Sequence, residues 1–241
     1  MSASERRDSA RTAVVWAALG SILDKQSLDQ PGLDVLDIGG GTGGFAVRVA
    51  GLGHRVTVVD PSPDALAALA RRAREDGVEV AGQQGDLGSL LELAGPAGAD
   101  VVLCHGVLEV VEDPAAALAT IREVLRPGGR LSLLVAQRHA AVIARAMAGH
   151  VAQALALLDD PAATGRTGRR FTADELTTLL ADAGFEVGSV HGIRVFADLV
   201  PGALLDLEPG TTAALLELER AVSDRAEYLP LATQLHVIAT R

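Results

Sequence analysis

A single cysteine, Cys104, stands among 241 residues, so the chain holds neither an intrachain disulfide nor a cysteine-rich zinc site. Aromatic residues make up only 2% of the chain, too few for the base-stacking platforms of single-strand nucleic-acid binders. No apolar run reaches the ~18 residues that span a bilayer. Residues 1–11 are polar and mixed in charge, without a signal-peptide pattern. Positive charge is scarce as well. A formal net charge of −10 counts against a broadly basic nucleic-acid-binding surface. What remains is one local cluster, Arg166, Arg169 and Arg170, which reads either as a basic patch or as a solvated loop. The expectation is a cytoplasmic, globular protein of one domain with a large core, 49% hydrophobic and 22% charged.

Glycine, by contrast, is concentrated. Residues 35–47 read Val-Leu-Asp-Ile-Gly-Gly-Gly-Thr-Gly-Gly-Phe-Ala-Val: a short apolar strand, a tight turn and the start of a helix. Gly39, Gly41 and Gly44 fit the Gly-x-Gly-x-x-Gly fingerprint, with Gly40 inside it. That fingerprint alone is open between NAD, FAD and S-adenosylmethionine. Asp37 narrows the choice, because a carboxylate at the end of the first strand suits a ligand with a cationic amino-acid end and repels a pyrophosphate. Asp60, ending the second strand, suits a pair of ribose hydroxyls; the alternative is a helix N-cap. Asp86, in Gly85-Asp86-Leu87 after the third strand, suits an adenine amino group, and again the alternative is a cap. His105 follows the fourth strand, in the crevice where open α/β sheets bind ligands. Arg11, on an N-terminal helix with Trp16, is placed to close over the ligand's carboxylate.

The pattern along the chain alternates. Strands are expected at 34–38, 55–59, 79–83, 100–104 and 130–136, with helices at 44–50, 63–76, 87–93 and 114–125 between them. Such alternation means a parallel sheet with helices on both faces. Pro127-Gly128-Gly129 reads as a turn feeding the fifth strand. Beyond residue 136 come one long helix at 139–158, a polar loop, a helix at 172–183 opened by a Thr172–Glu175 capping box, and a helical stretch at 211–227. Strand-like runs at 186–196 and 234–241 suggest an antiparallel pair at the sheet edge.

Asp37–Gly43, Asp60, Gly85-Asp86, Val107-Leu108-Glu109 with Asp113-Pro114, and Leu125-Arg126-Pro127-Gly128-Gly129 together resemble class I S-adenosylmethionine-dependent methyltransferases. The resemblance implies a Rossmann-like α/β fold. It has a seven-stranded, mostly parallel sheet with an antiparallel last strand, helices on both faces and helical lid insertions. It implies a single domain over 1–241, with an N-terminal helical lid over 1–30, a cofactor core over 31–136, and a substrate lid with the last strands over 137–241. The implied cofactor is S-adenosyl-L-methionine, held by Arg11, Asp37, Gly39, Gly40, Gly41, Asp60, Gly85, Asp86, Leu87 and His105. No metal is implied.

A closer resemblance runs through His105-Gly106-Val107-Leu108-Glu109, Leu131-Ser132-Leu133, His139, Met147-Ala148-Gly149, Gly192–Asp198, Leu215–Glu219 and His236–Arg241. These stretches are similar to the tRNA 5-carboxymethoxyuridine methyltransferase family, which methylates a carboxylate on a modified wobble uridine. Arg11 and His105 match residues that meet the cofactor in that family. Two features depart from it. Ala136-Gln137 stand where an aromatic-Asn pair is expected, and a lysine-rich loop is reduced to Arg166, Arg169 and Arg170. The partner implied is tRNA, or in its place a small-molecule acceptor, with no membrane. Arg194 is the candidate cationic anchor for an acceptor carboxylate, and His105 or His139 a candidate base for a hydroxyl or amine acceptor. The rival class is an NAD-binding oxidoreductase or a silent cofactor-binding module. Asp37, the Arg-Pro-Gly-Gly run, the C-terminal strand pair and the lack of a Tyr-x-x-x-Lys pair all speak against it.

Overall fold

The computed structural model describes residues 3–27, 32–160, 168–205 and 210–241. Its strands are β1 (Asp34–Ile38), β2 (Arg55–Asp60), β3 (Ala81–Gln84), β4 (Ala99–His105), β5 (Leu125–Ala136), β6 (Glu186–Ile193) and β7 (Gln234–Thr240). They form one seven-stranded sheet in the order β3-β2-β1-β4-β5-β7-β6, six strands parallel and the last antiparallel. The mixed sheet expected from the resemblance is therefore present. An N-terminal helix, α1 (Ala3–Ser27), precedes it. Two compact units divide the chain: residues 21–133, 178–188 and 238–241, and residues 1–20, 134–177 and 189–237.

The first unit is built on β1, flanked in parallel by β2 and β4, so that Val35 lies opposite both Val56 and Val101. A strand covered on both faces reads as an apolar run rather than an alternation, and Val35, Leu36, Ile38 and Val101–Cys104 are all buried. Helix α2 (Ala46–Ala50) follows the glycine turn. Helix α3 (Pro63–Glu75) starts at Pro63, capped by Ser62 Oγ accepting from the Ala65 N–H at 3.2 Å, and stops before Gly77, whose φ is +67°. Helix α4 (Leu90–Ala94) begins three residues later than the sequence suggests. The delay has a local cause: Asp86 Oδ1 accepts from the N–H groups of Gly88 and Ser89, at 2.9 and 3.2 Å, and holds a turn there. Helix α5 (Pro114–Val124) is capped by Asp113 and runs straight into β5.

The Pro127-Gly128-Gly129 turn is not a turn. It lies inside β5, where Gly128 at φ +77° donates to the Arg241 carbonyl and Gly129 accepts from the Arg241 N–H. Arg126 in the same run anchors the starts of two strands, reaching Asp100 at 2.6 Å and Asp34 at 2.9 Å. The Arg55 hydrogen bond at 2.7 Å, with that of Arg126 behind it, holds the Asp34 carboxyl below the usual carboxylate range against the effect of burial.

In the second unit the long helix expected at 139–158 is two helices, α6 (Arg138–Met147) and α7 (Val151–Asp159). Gly149, at φ +80°, takes the left-handed position. Its N–H donates to the Ala146 carbonyl, while that of His150 donates to the Arg145 carbonyl, a Schellman closure. Gln137 caps α6: its Oε1 accepts from the Ala140 N–H at 3.0 Å and its Nε2 donates to the Leu229 carbonyl at 3.1 Å. Helix α8 (Ala173–Asp182) opens with the expected capping box. The Glu175 N–H donates to Thr172 Oγ1 at 3.2 Å, and the Thr172 N–H to Glu175 Oε2 at 2.9 Å. Helices α9 (Gly202–Leu205) and α10 (Thr211–Val222) complete the unit with a 3₁₀ turn at Leu229–Leu231. Strand β6 ends at Ile193, short of the expected residue 196, because Arg194 adopts φ +57° and leaves the sheet. Among the described residues, no helix is long and apolar enough to cross a membrane.

Candidate active site

The carboxyl ends of β1, β2 and β4 in the first unit gather most of the residues singled out for a cofactor. Asp37, one residue from the end of β1, is only 3% exposed. Burial first, and the charge of Asp60 second, push its carboxyl up to about 7. Its Oδ2 leaves no room above Gly40: a Cβ built there would stand 2.5 Å from that oxygen. Gly39 and Gly41 hold φ of +64° and +56°. Gly43 at φ +80° packs so closely on Leu69 that a Cβ would collide with it, whereas Gly44 has ordinary space. The third glycine that the turn needs is thus Gly43 rather than Gly44.

Asp60 is buried and held by the loop itself. Its Oδ2 accepts from the Gly41 N–H at 2.9 Å and its Oδ1 from the Ser62 N–H at 2.9 Å. Capping α3 is left to Ser62, so the capping alternative for Asp60 does not describe this structure. The Asp86 carboxylate is exposed and does act as a turn cap; Gly85 beside it is crowded by Ser89 and Leu93, 2.6 Å from a would-be Cβ. Leu87 is half-buried on the same loop. His105 ends β4 with its Nε2 hydrogen-bonded to Ser132 Oγ at 2.9 Å and its ring edge-on to Phe45, centroids 5.0 Å apart. Ser132, fully buried on β5, is a partner that residue patterns alone do not reveal. Arg11 lies on α1, but its side chain is outside the described residues, as is Arg166.

The second unit holds a cavity of about 380 Å³. Its wall is partly alanine, with Ala136, Ala140, Ala141 and Ala144, and partly polar, with Arg145, Arg170, Arg194, Asp198, Thr233 and Gln234. Arg194 is 23% exposed; its Nε donates to Thr233 Oγ1 at 3.1 Å and stands 3.2 Å from Asp198 Oδ2. Arg170 of the Arg169-Arg170 pair belongs to this wall. His139 is exposed on the first turn of α6 and does not line the cavity. Among the described residues, no group of three or more His, Cys, Asp or Glu side chains is arranged to hold a metal.

Residues 9–190 match the family model described as a methyltransferase domain. Over 96% of its length the chain is 32% identical to the tRNA 5-carboxymethoxyuridine methyltransferase of Escherichia coli strain K12, covering 88% of that protein. It is also 32% identical to the ubiquinone biosynthesis O-methyltransferase of Xanthomonas euvesicatoria pv. vesicatoria strain 85-10, over 69% of this chain and 68% of that protein. Among solved structures, magnesium protoporphyrin IX methyltransferase from Synechocystis PCC 6803 superimposes with a TM-score of 0.66 at 17% identity, over 98% of this chain and 86% of the other. The last likeness concerns the fold alone. With a family model covering most of its length and a relative matched almost end to end, the chain belongs to the S-adenosylmethionine-dependent methyltransferases.

Proposed function

We propose that this methyltransferase esterifies a carboxylate, and that its acceptor is 5-carboxymethoxyuridine in tRNA. The observation that carries the proposal is the guanidinium of Arg194 in the wall of a nucleoside-sized cavity, with Arg145 and Arg170 beside it. The family relative matched over 96% of the chain acts, by its name, on that same modified uridine in tRNA.

The first unit fits the cofactor. A buried carboxyl pushed up to about 7 by desolvation and a neighbouring acid lacks a cation, and the ammonium of an amino-acid ligand would supply one. Asp60, fixed by two backbone donors, has lone pairs left for the ribose hydroxyls. An added Cβ would stand 2.6 Å from Val107 at Gly39 and 2.5 Å from Asp37 at Gly40, so only glycine fits the turn there, while Gly41 is free of such crowding and leaves its backbone open to a ligand. When bound, S-adenosylmethionine supplies an electrophilic methyl on a positive sulfonium. The acceptor carboxylate is already anionic at neutral pH, so no general base is needed. The task left to the chain would be orientation: the planar guanidinium of Arg194 could hold an acceptor carboxylate by one or both oxygens and fix its plane. His139, exposed and away from the cavity wall, has no part in such an ester transfer.

The alanine part of the wall suits a less polar acceptor, which gives the second reading, a small-molecule metabolite. One assay separates them. Tritium from labelled cofactor should enter tRNA that lacks this methyl ester and be released by mild base, as an ester is. Transfer only to hydroxyl or amine metabolites, unaffected by Arg194→Ala, would defeat the proposal.

A further inference from the structure

We infer that Glu219 is a positioning residue for the acceptor site, acting through Arg194. The inference rests on the reading of Arg194 as the acceptor's anchor. Glu219 lies on α10 and is 1% exposed, within a face otherwise given to Leu215 and Val222. A carboxylate in such a face is costly unless its lone pairs are used. Here they are. Oε2 accepts from the Val195 N–H at 2.9 Å, and Oε1 from the N–H groups of Phe196 at 2.9 Å and Ala197 at 2.7 Å. Three successive backbone donors converge on one anion, an anion-binding nest whose occupant is the chain's own side chain.

The location of this nest makes it more than a fold restraint. Its three donors directly follow Arg194, which at φ +57° is one of two non-glycine residues among those described with a positive φ. A left-handed arginine persists only where its surroundings hold it. Three kinds of contact hold this one. Glu219 gathers the N–H groups after it, Val195 packs with Val222 and Ala197 with Leu215, and the guanidinium is steered by Thr233 and by Asp198, one residue beyond the nest. Releasing the nest frees the 195–198 turn, and with it both Arg194 and its counter-ion. Glu219 thereby sets where the charge stands in the cavity wall, without itself lining that wall.

Glu219→Gln tests this at constant size. An amide offers one acceptor oxygen and turns its NH2 group toward donors, so at least one of the three bonds is lost. The Arg194 Nε–H resonance, assigned by its disappearance in Arg194→Ala, should shift and exchange faster with water in Glu219→Gln. With tRNA carrying 5-carboxymethoxyuridine as acceptor, KM should rise on the order of tenfold while kcat falls less. S-adenosylhomocysteine affinity should stay as in the parent. The double variant Glu219→Gln/Arg194→Ala should be no worse than Arg194→Ala, because Glu219 has then nothing left to position. An unmoved Arg194 resonance, or effects that multiply in the double variant, would overturn the inference. Should the resonance move while tRNA is not methylated at all, the acceptor assignment fails and the positioning role stands.

Discussion

In the first unit, the residues proposed for the cofactor cradle each lie within a few positions of a strand end: Asp37 and Gly39–Gly41 at β1, Asp60 on β2, Gly85–Leu87 after β3, His105 on β4. In the second unit the cavity wall draws Arg145 from α6, Arg170 from the segment before α8, Arg194 from the end of β6 and Thr233 from the residue before β7. The first arrangement follows from the sheet itself, since parallel strands deliver their carboxyl ends to one edge. The second depends on how separate segments meet. The proposed cradle is also largely backbone and carboxylate, whereas the cavity wall combines guanidinium groups with alanine.

The sharpest way to break this contrast is Asp60→Ala. The substitution removes the carboxylate expected to meet the ribose and leaves the Gly41 and Ser62 N–H groups, now bonded at 2.9 Å each, without an acceptor. A loss of about 3 kcal/mol, roughly a hundredfold in Kd for S-adenosylhomocysteine by calorimetry, is expected. The Arg194 Nε–H resonance should not move. A variant that shifted this resonance while sparing cofactor affinity would show that Asp60 does not belong to the cradle.

That same contrast explains what the sequence made legible. The glycine turn, β1 and the Thr172–Glu175 capping box are read from neighbouring residues, and their expected bounds or bonds match the structure. Errors arose where a distant contact overrode a local pattern. Pro127-Gly128-Gly129 looks like a turn, yet Arg241 pairs with it and keeps it in β5. Residues 139–158 look like one helix because alanine dominates them, but Gly149 closes the first half with a left-handed residue. Its glycine was the available signal. Arg194 reads as a strand residue, because nothing near it announces that Glu219, 25 positions on, will gather the following amides. Ser132, the partner of His105, hides in an apolar strand for the same reason. Gln137 likewise gives no local sign that its amide will join the Ala140 N–H to the Leu229 carbonyl, 92 positions on.

Asp37 carries the electrostatic side of this contrast. Asp37 has its carboxyl raised to about 7, so it is protonated in part at neutral pH. Its ionised form attracts a ligand ammonium. Affinity for S-adenosylhomocysteine should therefore rise severalfold between pH 6 and pH 8, and Asp37→Asn should bind weakly with little of that slope. Without cofactor the sign reverses for stability. A raised carboxyl favours the fold below the ordinary carboxylate range and loses that contribution as pH climbs through about 7. Asp37→Asn should then melt higher than the parent at pH 8. A parent whose cofactor affinity is flat across this range would remove Asp37 from the ligand's charged end.

The smallest effect asks whether the two units, so different in their sites, share one acid-sensitive element. Each contains a histidine held neutral. In the first unit His54 is 7% exposed and accepts the Leu33 N–H on Nδ1 at 3.2 Å; burial lowers its pKa, with Asp24 opposing. In the second, His191 is stacked on His236 with centroids 5.7 Å apart, and burial again lowers its pKa, with Asp224 opposing. A histidine whose folded pKa is depressed takes up protons more readily in the unfolded chain. Its contribution to stability is complete above the unfolded value of ~6.5 and is lost as pH falls from there through the folded value. Thermal melts between pH 7 and pH 5 should show this loss in the parent. His54→Gln and His191→Phe should each flatten part of it, additively, since the two lie in separate units with no common partner among those named. If either substitution left the slope unchanged, that histidine would titrate alike in the folded and unfolded chain, its neighbouring aspartate, Asp24 or Asp224, cancelling the effect of burial.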